Sequence, residues 1–369
     1  MRMRSAFKTS FGKTLVRDVV ITRMFCDGVE GWGELVAGEE PLYNEETVET
    51  AVHVMRAHLL PLILGRAFSH PSQVAAAWTP IRRNLMAKAA LELAFWDAWS
   101  KAQGISLSAA LGGEKKHVPT GVSIGIQPTV PGLLREIGRF LDLGYRRIKI
   151  KIEPGCDVEV VKAVRHSFGG IPLTVDGNSA YDLRDTDHLK ELDQHRLLMI
   201  EQPLAEEDIV DHARLQAQLA TPICLDESIL SAQGARRALE LGSCRVINVK
   251  VGRVGGHCEA VAVHDLCRER GIPVWCGGML ESGIGRLHNI AIASLPGFTM
   301  PGDTSASDRY WDEDIIEPPV VLSSGGTVEV PTGAGIGYRV RNELIDKLKV
   351  DTQSFSAPAS ALASPLGSS

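Results

Sequence analysis

Residues 147–152 read Arg-Ile-Lys-Ile-Lys-Ile, and this short segment decides how the rest of the chain is interpreted. Side chains on a β-strand point alternately to its two faces, so Lys149 and Lys151 share one face while the isoleucines share the other. The pattern predicts a strand with a buried apolar face and two ammonium groups on the opposite face.

An acid ends each of the next three apolar segments, and a lysine ends the one after them. These residues are Asp176, Glu201, Asp226 and Lys250. Counted from Lys151, they follow at intervals of 25, 25, 25 and 24 residues. Such an interval accommodates one strand, one helix and two loops. The lysines and acids are therefore predicted to occupy equivalent positions in consecutive β/α units.

Strand-like segments alternate with helical patterns across residues 115–304. Their ranges are 118–126, 146–153, 172–177, 197–202, 222–227, 245–251, 273–277 and 298–302. Parallel strands joined by helices form either a doubly wound sheet or a closed barrel. Eight strands in about 185 residues favour the barrel, whose functional residues lie at the C-terminal ends of the strands. The spacing places the acids and Lys250 at those ends.

A smaller α+β capping domain is predicted over residues 1–114. It begins with a β-hairpin over residues 18–36 and contains residues 87–99, which are rich in strong helix formers. The segment from about 305 to 350 is expected to return and complete this domain. Residues 351–369 are rich in Ser, Ala and Pro and are predicted to be a disordered tail.

The composition is that of a soluble globular protein, with 44% of the 369 residues hydrophobic and 23% charged. The net charge is −6, and no basic block is interleaved with aromatic residues. Neither nucleic acid nor a membrane is therefore an expected partner. The sequence shows no membrane span and no secretory signal. Seven scattered cysteines without a Cys-x-x-Cys motif predict reduced thiols in a cytoplasmic protein.

The three acids point to a metal site. Carboxylates that meet in a partly buried site raise one another's pKa unless a counter-charge is present, and a divalent cation supplies one. Oxygen ligands without His or Cys fit a hard ion such as Mg²⁺. The alternative is that the acids only form ion pairs with Lys149, Lys151 and Lys250.

The three lysines point to proton transfer. A single lysine is usually a solvated surface group, but several at one barrel mouth would crowd positive charge. Crowding by cations and burial both lower a lysine's pKa toward neutrality, which makes it a usable general base. One lysine on each side of a carbon atom could remove a proton from one face and return it to the other.

The motifs around these residues carry a resemblance to a known family. They are Lys149-Ile150-Lys151, Asp176-Gly177-Asn178, Glu201-Gln202-Pro203, Asp226-Glu227-Ser228, Lys250 and, in the first domain, Gly31-Trp32-Gly33-Glu34. Together they resemble the enolase superfamily, in its muconate-lactonising subgroup. Residues 121–126, 150–155, 277–281 and 301–308 are similar to the branch that contains o-succinylbenzoate synthases and N-acylamino acid racemases. The resemblance extends from Phe7 to about Ile345.

The resemblance implies a modified (β/α)8 TIM barrel, of the form (β/α)7β, with an α+β capping domain. It implies that the three acids bind Mg²⁺, with Mn²⁺ or another divalent ion able to substitute. Lys151 would take a proton from the carbon beside the substrate's carboxylate, and Lys250 would stand on the opposite face. Lys149 would assist electrostatically.

Two reactions of this branch share that chemistry. One is the dehydration of 2-succinyl-6-hydroxy-2,4-cyclohexadiene-1-carboxylate to o-succinylbenzoate in menaquinone biosynthesis, and the other is racemisation of N-succinyl or other N-acylamino acids. A bifunctional enzyme with the synthase reaction ahead is the favoured interpretation. The alternatives are a dedicated racemase or another epimerase of the superfamily and, less favoured, a non-catalytic binding relative.

Further residues are implied to bind the small-molecule carboxylate substrate. They are Ser123, Asn178, Arg253, Met279, Glu281 and Phe7. Arg253 corresponds to an arginine associated with racemisation in this branch, although alone it could be a surface charge. The six residues before Phe7 are expected to be too few for the family's usual first strand. Relatives are commonly dimers or octamers, so a homo-oligomer is expected.

Overall fold

The computed structural model of the chain describes residues 1–357. It begins with two antiparallel hairpins, β1 (Arg2–Lys8) with β2 (Lys13–Val16), and β3 (Val20–Cys26) with β4 (Val29–Leu35). The second hairpin was expected from the sequence. The expectation that the N-terminus is too short for a first strand is wrong. β1 forms because β2 pairs with it, and the amino group of Met1 donates to the Arg17 carbonyl at 2.6 Å.

Helices follow these hairpins and pack against them. They are α1 (Val48–Val54), a π-helical turn (Met55–Leu59), α2 (Pro71–Ala77), α3 (Leu85–Ala102) and α4 (Leu107–Ala110). The long helix α3 lies against β4 because the strand carries glycines where the two backbones meet. A Cβ atom on Gly33 would lie 2.2 Å from the Ala90 carbonyl oxygen, so no larger residue fits there.

After the short strand β5 (His117–Pro119), parallel strands alternate with helices. The strands are β6 (Val122–Ile124), β7 (Ile148–Lys151), β8 (Leu173–Asp176), β9 (Met199–Glu201), β10 (Ile223–Leu225), β11 (Val246–Val249) and β12 (Val274–Cys276). The helices are α5 (Val130–Asp142), α6 (Val158–Phe168), α7 (Thr186–Lys190), α8 (Ile209–Gln216), α9 (Ala232–Leu241), α10 (Val251–Val254), α11 (His257–Glu269) and α12 (Gly283–Ala293). Each strand pairs with the next in sequence, so the sheet curls in one direction.

The gap between β12 and β6 is closed by residues 298–302, the eighth predicted strand. Phe298 forms a parallel bridge with Val274, and Gly302 forms one with Thr120. The segment forms isolated bridges and no regular strand, and Pro301 within it has no N–H to donate. The fold is the predicted modified TIM barrel of the form (β/α)7β, with a capping domain.

The chain then returns along the outside of the barrel. The return contains β13 (Ile316–Glu317), β14 (Thr327–Glu329), β15 (Arg339–Val340) and α13 (Asn342–Leu348). Short 3₁₀ turns elsewhere span Leu60–Leu62, Leu183–Asp185, Glu191–His195 and Ser307–Arg309. Strand β14 pairs antiparallel with β5, and the Arg4 N–H donates to the Tyr310 carbonyl at 2.8 Å. The return segment therefore contacts both the short strand that precedes the barrel and the first strand of the chain.

Most of the predicted tail, residues 358–369, lies outside the described residues. Within residues 1–357, no helix combines the length and the apolar character needed to span a bilayer.

Candidate active site

The barrel strands bring the predicted charged residues to one end of the sheet. Lys151 at the end of β7 is in register with Asp176 at the end of β8, and Asp176 is in register with Glu201 at the end of β9. Asp226 and Lys250 each follow the last residue of their strand, β10 and β11. All of these residues except the partly exposed Lys151 are buried.

Lys149 lies among three carboxylates. Its Nζ atom is 2.7 Å from Glu201 Oε2, 3.2 Å from Asp176 Oδ2 and 3.3 Å from Asp303 Oδ2. The ammonium also lies 4.6 Å from the centre of the Trp275 ring, a favourable cation–π position. Lys149 is therefore held on several sides and completely removed from solvent.

Lys151 has two partners. Its Nζ atom donates to Asp176 Oδ2 and to Asn178 Oδ1, both at 2.6 Å. The side-chain amide of Asn178 in turn donates to Glu227 Oε1 at 2.8 Å. A chain of contacts therefore runs from Lys151 on β7, through the loop after β8, to the end of β10.

Lys250 lies on the other side of the barrel with different partners. Its Nζ atom donates to Asp226 Oδ2 at 2.7 Å and to the Tyr43 hydroxyl at 3.2 Å. Arg253 also pairs with Asp226 and donates to the Asn248 carbonyl at 2.5 Å. Because Arg253 is buried, it is not the surface charge that the sequence alone allowed.

The expected lowering of the lysine pKa values is wrong for two of the lysines. Burial alone would lower the pKa of Lys149, but the carboxylates of Asp303, Glu201 and Asp176 outweigh it and raise that pKa well above its usual value. For Lys250, burial is likewise outweighed, chiefly by Asp226, and the pKa is raised. Close carboxylates therefore dominate over crowding by other cations.

The carboxylates respond in opposite directions. Burial would raise the pKa of Asp176, but Lys151 and Lys149 hold it well below the usual range. For Glu201, burial and the nearby charge of Asp176 prevail over Lys149, and its pKa rises to about 7. Asp226 also contributes to this rise, so the three carboxylates are close enough to repel one another.

We tested whether this donor set fits a divalent ion. Within residues 1–357, no group of three or more His, Cys, Asp and Glu side chains is arranged so that it could hold a metal as it stands. In the structure as it stands, the acids form ion pairs with the lysines, which is the alternative that the sequence also allowed. Nevertheless, three buried carboxylates that repel one another across neighbouring strand ends are the oxygen donors that a hard cation prefers. The residue types fit, provided that the amines give up some of these oxygens.

The predicted substrate-binding residues divide into two groups. Asn178 contacts Lys151 and Arg253 contacts Asp226, so both touch the charged residues at the strand ends. Ser123 donates to Asp303 Oδ2, a partner of Lys149, at 2.9 Å. The other three make their contacts elsewhere. Glu281 Oε1 accepts from the Met279 N–H at 2.8 Å, and Phe7 packs in a small cluster with Met3, Tyr310 and Trp311. A role in substrate binding remains a prediction for all six residues.

Three residues that take part in these contacts were not identified as site residues from the sequence. They are Tyr43, Asp303 and Glu227. Tyr43 comes from a loop of the first domain, and nothing in its local pattern indicates that it reaches Lys250. Asp303 follows the eighth predicted strand, so the rule that acids follow strands could have identified it. Glu227 was noted only as part of a motif. Burial and the neighbouring Asp226 raise the pKa of Glu227 to about 8.

Comparison with known families matches both parts of the chain. Residues 132–344 match the family model described as enolase C-terminal domain-like. Residues 1–112 match the N-terminal domain of mandelate racemase and muconate lactonizing enzyme.

Several known proteins are similar to this chain over nearly their whole length. An o-succinylbenzoate synthase of Geobacillus stearothermophilus is 54% identical, with 98% of this chain and 96% of the relative covered. An N-succinylamino acid racemase of Thermus thermophilus is 49% identical, with 96% of each covered. The crystal structure of an enolase superfamily member from Listeria innocua superposes with a TM-score of 0.91 at 45% identity, covering 94% of this chain and 93% of that one.

Proposed function

This chain belongs to the mandelate racemase/muconate lactonizing enzyme family of the enolase superfamily, and from that premise we propose that it is an o-succinylbenzoate synthase that also racemises N-succinylamino acids. One relative named as an o-succinylbenzoate synthase and another named as an N-succinylamino acid racemase each share about half of its residues over almost the full chain. It is an enzyme, and the residues that would perform either reaction are present.

The observation that supports this function most directly is the placement of the two lysines. In a barrel of eight positions, β7 and β11 are four positions apart and face each other across the mouth. Lys151 at the end of β7 and Lys250 after β11 therefore approach a substrate carbon from opposite sides. Each is held against a different carboxylate, Asp176 for one and Asp226 for the other.

In the dehydration, Lys151 accepts the proton from the carbon beside the substrate's carboxylate. The electron pair left behind is delocalised into that carboxylate as an ene-diolate. This pair then forms the last double bond of the aromatic ring as the C–O bond at the adjacent carbon breaks, and the hydroxyl group leaves as water with the proton held by Lys151. Lys149, whose charge is fixed by burial among three carboxylates, contributes positive potential near the developing negative charge.

In the racemisation, the two lysines exchange roles. One lysine takes the α-proton from one enantiomer, and the other donates a proton to the opposite face of the planar intermediate. This reaction therefore requires proton transfer at Lys250, whereas the dehydration requires it at Lys151 only. A dedicated racemase is the second candidate, favoured by the buried position of Arg253 beside Asp226 and Lys250.

Members of this superfamily use a divalent metal ion. We propose Mg²⁺, with Asp176, Glu201 and Asp226 as its ligands. When bound, such an ion supplies positive charge that stabilises an ene-diolate and neutralises the acids. We also propose a cytoplasmic location, which is supported by free thiols at all seven cysteines, each of which lies in the described residues. A homo-oligomer remains a prediction for light scattering to check.

The function is tested by assaying the purified protein with two substrates. These are 2-succinyl-6-hydroxy-2,4-cyclohexadiene-1-carboxylate, followed by ultraviolet absorbance, and N-succinyl-phenylalanine, followed by optical rotation. We expect turnover of both with Mg²⁺ and loss of both with a chelator, restored by excess Mg²⁺. If both substrates are inert with Mg²⁺ present, the assignment is wrong. Turnover of the amino acid alone would identify the dedicated racemase.

A further inference from the structure

Each of the two lysines that face the substrate has one charged and one uncharged partner. Lys151 contacts Asp176 and the Asn178 amide, whereas Lys250 contacts Asp226 and the Tyr43 hydroxyl. The uncharged partners come from different parts of the chain. Each can therefore be changed without altering the contacts of the other lysine.

The amide of Asn178 has only one orientation that satisfies both of its neighbours. The ammonium group of Lys151 can donate hydrogen bonds but cannot accept them. It must therefore face the amide oxygen of Asn178, Oδ1. On the other side, Glu227 Oε1 accepts from the amide nitrogen, Nδ2, at 2.8 Å. A carboxyl group can accept at this oxygen whether or not its other oxygen carries a proton. Glu227 therefore fixes which end of the Asn178 amide faces Lys151.

The backbone of Asn178 is already fixed by other contacts. It has a left-handed conformation with φ of 43°, which asparagine tolerates better than most residues. The Asn178 N–H donates to Asp176 Oδ1 at 3.0 Å, and the next N–H, of Ser179, donates to the Gln202 carbonyl at 2.8 Å. Only rotation of the side chain remains to be fixed, and among the described residues Glu227 is the group that restrains it besides Lys151 itself.

We infer that Glu227 is a positioning residue that acts through Asn178 to hold Lys151, and that this hydrogen-bonded route serves proton transfer on one face of the substrate. This inference rests on the proposed function, in which Lys151 and Lys250 serve opposite faces. Tyr43 provides the matched comparison, because it contacts Lys250 and neither Lys151 nor Asn178 among its hydrogen bonds in the described chain.

The test measures proton exchange at each face separately. Each enantiomer of N-succinyl-phenylalanine is incubated with Mg²⁺-loaded enzyme in D₂O, and the initial loss of the α-proton signal is followed by NMR. Lys250→Ala first identifies the enantiomer that Lys151 deprotonates, since only that one still exchanges. Because the carboxyl group of Glu227 also acts on Lys250 through its charge, but is hydrogen-bonded only to the partner of Lys151, we expect Glu227→Met to slow exchange of that enantiomer about tenfold more than exchange of the other. Tyr43→Phe should show the opposite preference.

Two further variants keep the test decisive. If Glu227→Met does not fold, as judged by circular dichroism, Glu227→Gln keeps the size of the side chain and should show the same enantiomer preference with a smaller loss. In a double-mutant cycle, Asn178→Ala combined with Glu227→Met should be no slower than Asn178→Ala alone, because Glu227 acts through Asn178.

The possible outcomes are distinct. If wild-type enzyme exchanges both enantiomers but the Glu227 variants slow both equally, or neither, the positioning role is wrong and the proposed function stands. Additive losses in the double-mutant cycle would likewise overturn the role. If wild-type enzyme exchanges neither enantiomer, the proposed function fails and the inference fails with it.

Discussion

The ammonium of Lys149 lies 3.3 Å from Asp303 Oδ2, a carboxylate supplied by the segment that closes the barrel. Asp303 is itself fixed by Arg147, which donates to Oδ1 at 2.7 Å, and by the hydroxyl of Ser123. The charge of Lys149 is therefore positioned from two sides, by Asp303 on the closing segment and by Asp176 and Glu201 at the ends of β8 and β9.

Asp303→Asn should lower kcat/KM for both reactions by about 10- to 100-fold, because it removes one charged partner of Lys149 and the carboxylate partner of Arg147. Steady-state kinetics with the two substrates would measure this. Asp308→Asn is the matched control, since Asp308 is exposed on the same segment. Equal activity of the Asp303 variant and wild type would contradict the role of Asp303.

Lys151→Ala should abolish dehydration and racemisation, with losses on the order of 10³-fold or more, because the base common to both reactions is removed. Lys162→Ala, at an exposed position on α6, is the control and should retain full activity. Racemisation that persists in the Lys151 variant would mean that the base is misidentified.

Arg253→Ala should reduce racemisation at least about tenfold more than dehydration. The reason is that Arg253 and Lys250 share Asp226, and only racemisation requires Lys250 to transfer a proton. The ratio of the two kcat values, measured on one preparation, provides the readout. The exposed Arg245→Ala serves for comparison, and an equal loss of both activities would argue against the assignment.

Addition of Mg²⁺ should raise the Tm, because an ion that binds only the folded chain stabilises it. The rise should be absent in Glu201→Gln, which removes one proposed ligand, and unchanged in Glu159→Gln, at an exposed position. Differential scanning fluorimetry across a Mg²⁺ titration would show both. A wild-type Tm that does not respond to Mg²⁺ would exclude the proposed site without any reference to activity.

His288 should make the protein sensitive to acid. The ring is buried, donates from Nε2 to the Trp32 carbonyl of the capping hairpin and contacts His257, and burial lowers its pKa to about 4. At pH values between about 4 and the ordinary histidine pKa of about 6.5, this ring is protonated to a greater extent in the unfolded chain than in the folded one. The stability contributed by this ring is therefore complete above about pH 6.5 and is lost as the pH falls toward 4.

Urea unfolding of wild type and His288→Gln at pH 7, 5.5 and 4.5 would measure that loss. The pKa difference corresponds to about 3 kcal/mol of the free energy of unfolding, which the variant should not lose on acidification. His53→Gln, at an exposed histidine, should follow wild type. If the free energy of unfolding decreases equally with falling pH in wild type and in the His288 variant, this ring does not link pH to stability.

The barrel was predictable because its signals are local. The five consecutive strands β7 to β11 end at a charged residue or directly before one. Lys151, Asp176 and Glu201 lie in register at one edge, as the spacing indicates. The eighth strand was also predicted, but only Phe298 and Gly302 form bridges within it. Strand β1 was missed because its stability comes from pairing with β2 and from contacts with distant residues.

The contacts within the site were less predictable, because they depend on how separate elements meet. The position of Tyr43 depends on how the first domain docks against the barrel. The hydrophobic periodicity of the sequence carries no information about that docking. The pKa values of Lys149 and Lys250 depend on distances to carboxylates, and at about 3 Å these interactions exceed the effect of neighbouring cations. Sequence could place the charges together but could not indicate which pairs would dominate.

Strand β1 near the start of the chain bonds to Tyr310, and β5 bonds to β14, near the other end. During synthesis on the ribosome, β1 emerges long before the residues that receive it, and those residues follow the whole barrel. The contacts that join the two ends of the chain can therefore form only after the whole barrel has been synthesised, and until then a nascent chain exposes the backbone groups of β1 and β5 that these contacts later occupy.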